Sequence, residues 1–343
     1  MKHFRISYVF LLALLTVISA CEKDEEVPRG EYASGVIVVN EGNFGENDGS
    51  YGFINQTDKV ITQDIYQIVN NETVTGLFQS IYSHEDKSYL IDNGGSKIVV
   101  VEAETFKYIA TITQGISSPR YMTVANGKGY VSNWGEFPNP AYVAVIDLEN
   151  FVVTNKINTG SGVNDMITIN EKIYAATWFS NIVHEIDPIS EEITGGFETE
   201  LSPRLLEEDA NGRLWVFSNY YDFATGLTTN FLSQIDLVAS KVSKSFEIPT
   251  DAQRLETNGD GSSIYLGTTT GVYKIGLDAN SMPLTPLFET TSLYGLGIDP
   301  TDETIYVGLS TFVGNGTIIR YNSDGTELDS FPAGRNPNGF EFR

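Results

Sequence analysis

Ile264-Tyr265-Leu266-Gly267-Thr268 and Ile305-Tyr306-Val307-Gly308-Leu309 are two copies of one short element: an apolar residue, an aromatic, then small or β-branched residues. That composition is a strand. Outward from this pair the element returns as Ser88-Tyr89-Leu90-Ile91-Asp92-Asn93, Gly129-Tyr130-Val131-Ser132-Asn133, Ile173-Tyr174-Ala175-Ala176-Thr177 and Leu214-Trp215-Val216-Phe217-Ser218-Asn219. Val36-Ile37-Val38-Val39-Asn40 is an earlier copy. From Tyr89 to Tyr306, successive aromatics lie 41, 44, 41, 50 and 41 residues apart. A period of about 40–45 residues of strand-like sequence is the mark of a β-propeller.

The other strands fall into step. Alternating apolar runs follow each copy, as in Tyr142-Val143-Ala144-Val145-Ile146-Asp147, Ile182-Val183-His184-Glu185-Ile186-Asp187 and Ile318-Ile319-Arg320-Tyr321. Asp147, Asp187 and Asp236 then open turns, and a fourth strand follows, such as 152–157 or 242–248. Asn126-Gly127 and Asn258-Gly259-Asp260-Gly261 join the first two strands of a blade. A solenoid would need shorter or helical repeats, and no long 3.6-residue pattern follows Cys21.

Innermost strands begin at Ser118-Pro119-Arg120-Tyr121-Met122, Val163-Asn164-Asp165-Met166-Ile167 and Ser202-Pro203-Arg204-Leu205-Leu206. Asn336-Pro337-Asn338-Gly339-Phe340 looks like another such start, whereas the copy at Val36 has no innermost strand before it. The expectation is an all-β chain: a single seven-bladed β-propeller over residues 35–343, closed by pairing of the C-terminal strand with the first blade.

The N-terminus reads as an address. Lys2, His3 and Arg5 precede an apolar run from about Tyr8 to Ile18 that is too short to span a bilayer, and small residues follow at Ser19-Ala20. Residues 1–20 are therefore expected to be a signal peptide. Val17-Ile18-Ser19-Ala20-Cys21 resembles the lipobox of bacterial lipoproteins, which implies lipidation at Cys21. Glu22-Lys23-Asp24-Glu25-Glu26 resembles the acidic export tag of Bacteroidetes lipoproteins shown on the outer cell surface. Residues 21–34 then form a lipidated, flexible acidic tether. The expected location is the outer membrane, lipid-anchored and facing outward, with no membrane contact beyond the anchor.

Composition narrows the function. The formal net charge is −24, which repels phosphate backbones and excludes nucleic-acid binding. One cysteine and three histidines (His3, His84 and His184) are too few for a disulfide framework or a transition-metal enzyme. Gly42, Gly45 and Gly49 lack the strand–helix context of a phosphate loop. The oxygens from Asn40 to Asp48 match no EF-hand spacing, although calcium there is left open. No nucleophile-elbow motif is present. The reading is of a binding protein and not an enzyme, with no cofactor and no metal.

In a propeller, the loops between second and third strands and the loops entering the innermost strands converge on one face. The expected ligand-binding residues on that rim are Asn43, Phe44, Phe78, Asn93, Arg120, Asn133, Trp134, Trp178, Phe179, Arg204, Tyr220, Tyr221, Arg254, Tyr294 and Asn338. Aromatic planes, amides and arginines suit a large amphipathic ligand or a protein partner. Trp134 and Trp178 can equally wedge between blades. Arg120, Arg204 and Arg254 recur at one repeat position and can equally bond loop carbonyls.

Val38-Val39-Asn40-Glu41-Gly42-Asn43-Phe44, the lipobox and the repeats together resemble a group of Bacteroidetes surface lipoproteins with YVTN/quinoprotein-like propellers. Tyr130-Val131-Ser132-Asn133 is the nearest copy of the YVTN element. Within that group the chain is similar to the cobalamin-capturing surface propellers of corrinoid uptake loci. The resemblance implies binding of cobalamin or a related corrinoid and its transfer to a TonB-dependent outer-membrane transporter. The alternatives are a protein–protein interaction scaffold or adhesin, and a metal-dependent, lactonase-like propeller hydrolase.

Overall fold

The computed structural model describes residues 29–136, 140–249 and 251–343. Residues 1–20 and Cys21, on which the signal-peptide and lipidation readings rest, lie outside the described residues. No described helix is long and apolar enough to cross a membrane.

Among the described residues, seven four-stranded antiparallel sheets are arranged as blades, each strand pairing with the next in sequence. Their innermost strands are Phe78–His84 (blade 2), Pro119–Ala125 (blade 3), Val163–Ile169 (blade 4), Pro203–Glu208 (blade 5), Ala252–Thr257 (blade 6) and Leu293–Ile298 (blade 7). In blade 1 the innermost strand is Pro337–Phe342, and Val36–Asn40, Ser50–Asn55 and Val60–Thr62 complete the sheet. The predicted seven-bladed ring, closed head to tail, is the observed fold.

The local chemistry follows the sequence. Asn126 and Gly127 both have positive φ (48° and 70°), as a two-residue type I′ hairpin demands. Asp147 accepts the backbone N–H groups of Glu149 and Asn150 at 2.8 and 3.0 Å, and so ends its strand in a turn. Pro119, Pro203 and Pro337 each open an innermost strand, the edge facing the axis, where no ladder donor is lost.

The core is a ring of seven apolar layers, one between each pair of neighbouring blades. Tyr89 and Ile91 of blade 2 pack on Met122 and Val131 of blade 3, and Tyr265 of blade 6 packs on Leu296 and Val307 of blade 7. The repeat aromatics Tyr89, Tyr130, Trp215, Tyr265 and Tyr306 are all buried in these layers. Several of their polar tips are satisfied: the Trp215 indole donates to Asp209 at 2.8 Å, and the Tyr130 hydroxyl donates to the Pro188 carbonyl at 3.1 Å.

The last layer closes the ring. Val36, Val38 and Ile54 of blade 1 meet Tyr306, Ile318 and Phe331 of blade 7, with Phe340 and Phe342 packed alongside. In the ladder, Ile37 pairs with Glu341, Val38 with Phe340 and Val39 with Gly339. Gly308 explains the glycine of its repeat copy: a Cβ there would stand 2.3 Å from the Pro337 carbonyl oxygen. Packing also reaches back beyond residue 35, because the Tyr32 ring is buried against Phe53 and Phe106.

Removing residues 336–343 should expose this layer and leave Val36–Asn40 without a partner. The expected loss exceeds about 4 kcal/mol, with a broad, non-cooperative thermal transition by circular dichroism. A truncated chain that melts like the full one would refute the closure.

Candidate functional site

All seven innermost strands break register at the same place. The strand gains one residue on its partner just after Phe78, Pro119, Val163, Pro203, Ala252, Leu293 and Pro337, with Arg120-Tyr121 and Asn164-Asp165 both unpaired in blades 3 and 4. Such a bulge bends the strand and re-aims a side chain. Repeated around the axis, it sets a crown at one mouth of the central channel: Gln79, Arg120, Asn164, Arg204, Gln253, Tyr294 and Asn338. One expectation is corrected here. Arg254 is not at the repeat position of Arg204. It pairs with Gly267 as Leu205 pairs with Phe217, one residue past the bulge that Gln253 occupies.

The three arginines nevertheless gather at this mouth, and each lies over an aromatic ring. The Arg120 guanidinium carbon is 4.2 Å from the Trp134 ring centre, Arg204 is 5.0 Å from Trp178, and Arg254 is 5.3 Å from Tyr294. Arg120 donates through Nε to the Asn164 side chain at 3.2 Å, and Asn164 in turn donates to the Arg204 carbonyl at 2.8 Å. Arg254 donates to the Asn338 and Gln253 carbonyls. Arg204 donates to no described residue. Among the described residues, Arg213, Arg320, Arg335 and Arg343 are paired with carboxylates, whereas Arg120, Arg204 and Arg254 are not.

Burial and repulsion from neighbouring guanidiniums act on Arg120 and Arg204. The Arg204 guanidinium is pulled down to about 10 by burial and then by the neighbouring guanidinium of Arg254. Arginine stays charged at neutral pH. The direction therefore means a cation short of counter-charge. Burial likewise lowers Arg120, and Glu41 on the same mouth only partly offsets it. The Glu41 carboxylate is already engaged, accepting the Tyr294 hydroxyl.

Deeper in the channel, a cavity of about 210 Å³ is lined by Gln79, Tyr121, Asp165, Glu207, Arg254 and Glu256, among others. Glu207 and Glu256 hold one repeat position, opposite the aromatics Trp215 and Tyr265. Burial pushes the Asp165 carboxyl up to about 7, although the Leu206 and Met166 amides donate to it. Burial also raises Glu256, against the pull of Arg254. Glu207 is raised well above the usual range by burial and then by the charges of Glu256 and Asp165. Three carboxyls with raised pKa values beneath three guanidiniums that form no ion pair among the described residues can bind an anion above and exchange protons below.

The structure sorts the predicted ligand-binding residues. Trp134, Trp178 and Phe179 cluster beside the mouth, with Trp134 and Trp178 5.2 Å apart and Trp178 stacked on Phe179 at 5.4 Å. Tyr220 and Tyr221 stand on the hairpin of blade 5, and Phe44 is exposed. Phe78 and Asn133 are placed elsewhere. Phe78 is fully buried against Tyr51, 4.7 Å between ring centres, because it opens its strand on the face turned to the blade interface. Asn133 is fully buried, donates to the Val131 carbonyl and accepts from the Ser117 amide. Asn93 donates to the Pro119 carbonyl, and Asn43 to the Phe312 carbonyl, so both tie loops together. Asn338 donates to the Phe78 and Gln79 carbonyls while its buried Oδ1 lacks a partner. Asp165, Glu207 and Glu256 were not among the predicted residues. Their signal was a carboxylate inside an innermost strand, one that Glu208 and Glu341 share.

Residues 34–333 match the family described as a domain of unknown function, DUF5074. The chain belongs to that family. No curated protein matches the sequence. Among solved structures, a Bacteroides fragilis protein described provisionally as a 6-phosphogluconolactonase has a TM-score of 0.68 at 12% identity, covering 92% of this chain and 100% of that one. The periplasmic gluconolactonase PpgL of Pseudomonas aeruginosa gives 0.64 at 11%, covering 90% and 98%. Hydrazine synthase of Kuenenia stuttgartiensis gives 0.58 at 16%, covering 74% and 85%. At these identities the likeness is one of fold.

The comparison corrects one expectation. The sequence of this DUF5074 chain points to a binding protein and no enzyme, yet structures it matches over nearly their whole length bear the names of lactone hydrolases. A crown of polar groups on this fold is therefore no argument against catalysis.

The carboxyls generate a pH prediction. Asp165 keeps its proton to about pH 7 when folded but releases it near its ordinary value of 3.8 when unfolded. Between those values the folded state is the more protonated one, so stability falls as pH rises through the window and stays low above it. Asp165→Asn removes that dependence. Allowing for water in the channel, the variant should gain ~1–2 kcal/mol, a few degrees in Tm, at pH 8 and match the parent at pH 4. Equal differences at both pH values would rule out a raised carboxyl.

Proposed function

We propose that this DUF5074 propeller binds an anionic small molecule with flat apolar faces in the mouth of its axial channel. The observation that carries this reading is the set of three guanidiniums, each stacked on an aromatic ring and none paired with a described carboxylate. Guanidinium forks match phosphate and carboxylate oxygens, and the aromatic rings beside them accept planar surfaces. A closed ring holds the groups in place before the ligand arrives, so little ordering entropy opposes binding.

A corrinoid is the first ligand to test. It offers a flat macrocycle, peripheral amides and a phosphodiester, and the resemblance read from the N-terminal sequence favours it. In this reading Cys21 carries lipid, the propeller stands on the outer face of the outer membrane, and a TonB-dependent transporter receives the cargo. The same crown facing a protein partner remains the scaffold alternative. Titration calorimetry with cyanocobalamin should show binding at micromolar protein, weakened at least about tenfold by Arg204→Ala. Absence of heat would remove the corrinoid. Cys21→Ala should shift the chain from the membrane fraction to the soluble fraction, and retention would remove the anchor.

A second reading, hydrolysis of a sugar lactone, is favoured by Asp165 and its raised pKa beneath the guanidiniums. Its ionised form would take a proton from water as the water oxygen adds to the lactone carbonyl. A guanidinium would steady the oxyanion, and the ring C–O bond would break with a proton passing to the leaving oxygen, giving the hydroxy acid. Base titration of glucono-δ-lactone opening should then show catalysis that Asp165→Asn lowers about 100-fold. A rate equal to the spontaneous one would exclude it.

A further inference from the structure

Blade 5 is built differently from the others. Its second and third strands, Leu214–Asp222 and Leu227–Asp236, run nine and ten residues, against five or six for the second strands of the other blades. The excess is a hairpin extension in which Tyr220 pairs with Thr229 and Tyr221 with Thr228. Asp222 caps its turn, accepting the Ala224 amide at 2.8 Å and the Thr225 hydroxyl at 2.9 Å. The 50-residue spacing between Trp215 and Tyr265 is the sequence trace of this insertion.

The extension and the neighbouring loop form an open, largely apolar pocket of about 210 Å³ between Trp178, Phe179, Leu201, Tyr221 and Phe223. Its walls are costly in water: Phe179 is 68% exposed and Phe223 89%. Tyr221 and Phe223 hold each other edge to face at 4.9 Å. One side chain links the crown to the cavity. Trp178 lines it and also lies under the Arg204 guanidinium, which donates to no described residue.

We infer that this cavity is a second subsite of the same ligand site: it takes an apolar ring of the small molecule whose anionic group docks on Arg204. The inference rests on the anion-binding reading above. Its volume suits one or two fused rings, since a dry apolar cavity of about 150 Å³ holds benzene. The stated ligand class is thus bipartite, an anion joined to a flat apolar group. Ring and anion straddle Trp178, and the hairpin of blade 5 selects for the ring.

Two probes with one anionic group separate the subsites: naphthalene-2-sulfonate and methanesulfonate, each titrated calorimetrically into the full chain. The parent should bind the naphthyl probe at least about tenfold more tightly than methanesulfonate. Combining Tyr221→Ser with Phe223→Ser should erase that advantage and leave methanesulfonate unchanged; both side chains are solvent-facing, and an unaltered Tm would confirm folding. Arg204→Gln should weaken both probes. If Arg204→Gln weakens both but the double variant keeps the naphthyl advantage, or no advantage exists, the second subsite is overturned while the anion site stands. If Arg204→Gln weakens neither probe, or neither binds, the anion-binding reading and this inference fall together.

Discussion

Seven sheets around an axis stay open between the two ends of the chain unless one sheet draws strands from both. Here Pro337–Phe342 fills the place beside Val36–Asn40, and residues some 300 positions apart become neighbours. Each blade is a local structure, assembled from strands a few residues apart, and local contacts form readily. The joint between the ends is the one pairing with a large loop-closure cost, and that cost grows only slowly with length. It is offset by the apolar layer of Val36, Val38, Tyr306, Phe331 and their neighbours. Once closed, every blade is clamped on two sides, and the crown of bulged residues is held by seven sheets at once.

Rigidity matters because the mouth is electrostatically uncomfortable. Three guanidiniums with no described carboxylate partner repel one another in a chain whose overall charge is strongly negative. A flexible protein would relax that repulsion by swinging the arginines toward its many surface acids. This one does not, because Trp134, Trp178 and Tyr294 lie against the guanidiniums and the Asn164 and Asn338 backbone and side chains hold two of them. The carboxyls below add only partial relief, since burial raises their pKa values and pushes Asp165 up to about 7.

The sequence showed the architecture more fully than the site. Periodic aromatics, Asp-initiated turns and the orphan strand at Val36 are consequences of repetition, and repetition is visible in one dimension. Tyr89, Tyr130 and Tyr306 lie in the layers that the repeat demands. The offset of Arg254 relative to Arg204 was hidden, because a bulge moves one residue out of the ladder and leaves no mark in composition. Asp165, Glu207 and Glu256 were passed over for a related reason: only the curvature of the ring turns three separate innermost strands toward one cavity. Phe78 and Asn133 had the right residue types near the rim, yet their strand positions turn them inward.

The shared bulge separates two jobs that a regular strand would entangle. In an unbroken ladder, changing an axial side chain disturbs the partner opposite and the layer behind it. A residue lifted out of register leaves that ladder and takes up bonds to the next blade instead, as Asn338 does to the Phe78 and Gln79 carbonyls and Asn164 to the Arg204 carbonyl. Gln79, Arg120, Asn164, Arg204, Gln253, Tyr294 and Asn338 form a ring of positions at one mouth, several of them bonded to the neighbouring blade. A change at one of these positions is therefore felt first by the next blade around the mouth, so the crown couples the sheets at one end of the channel as the apolar layers couple them along its length.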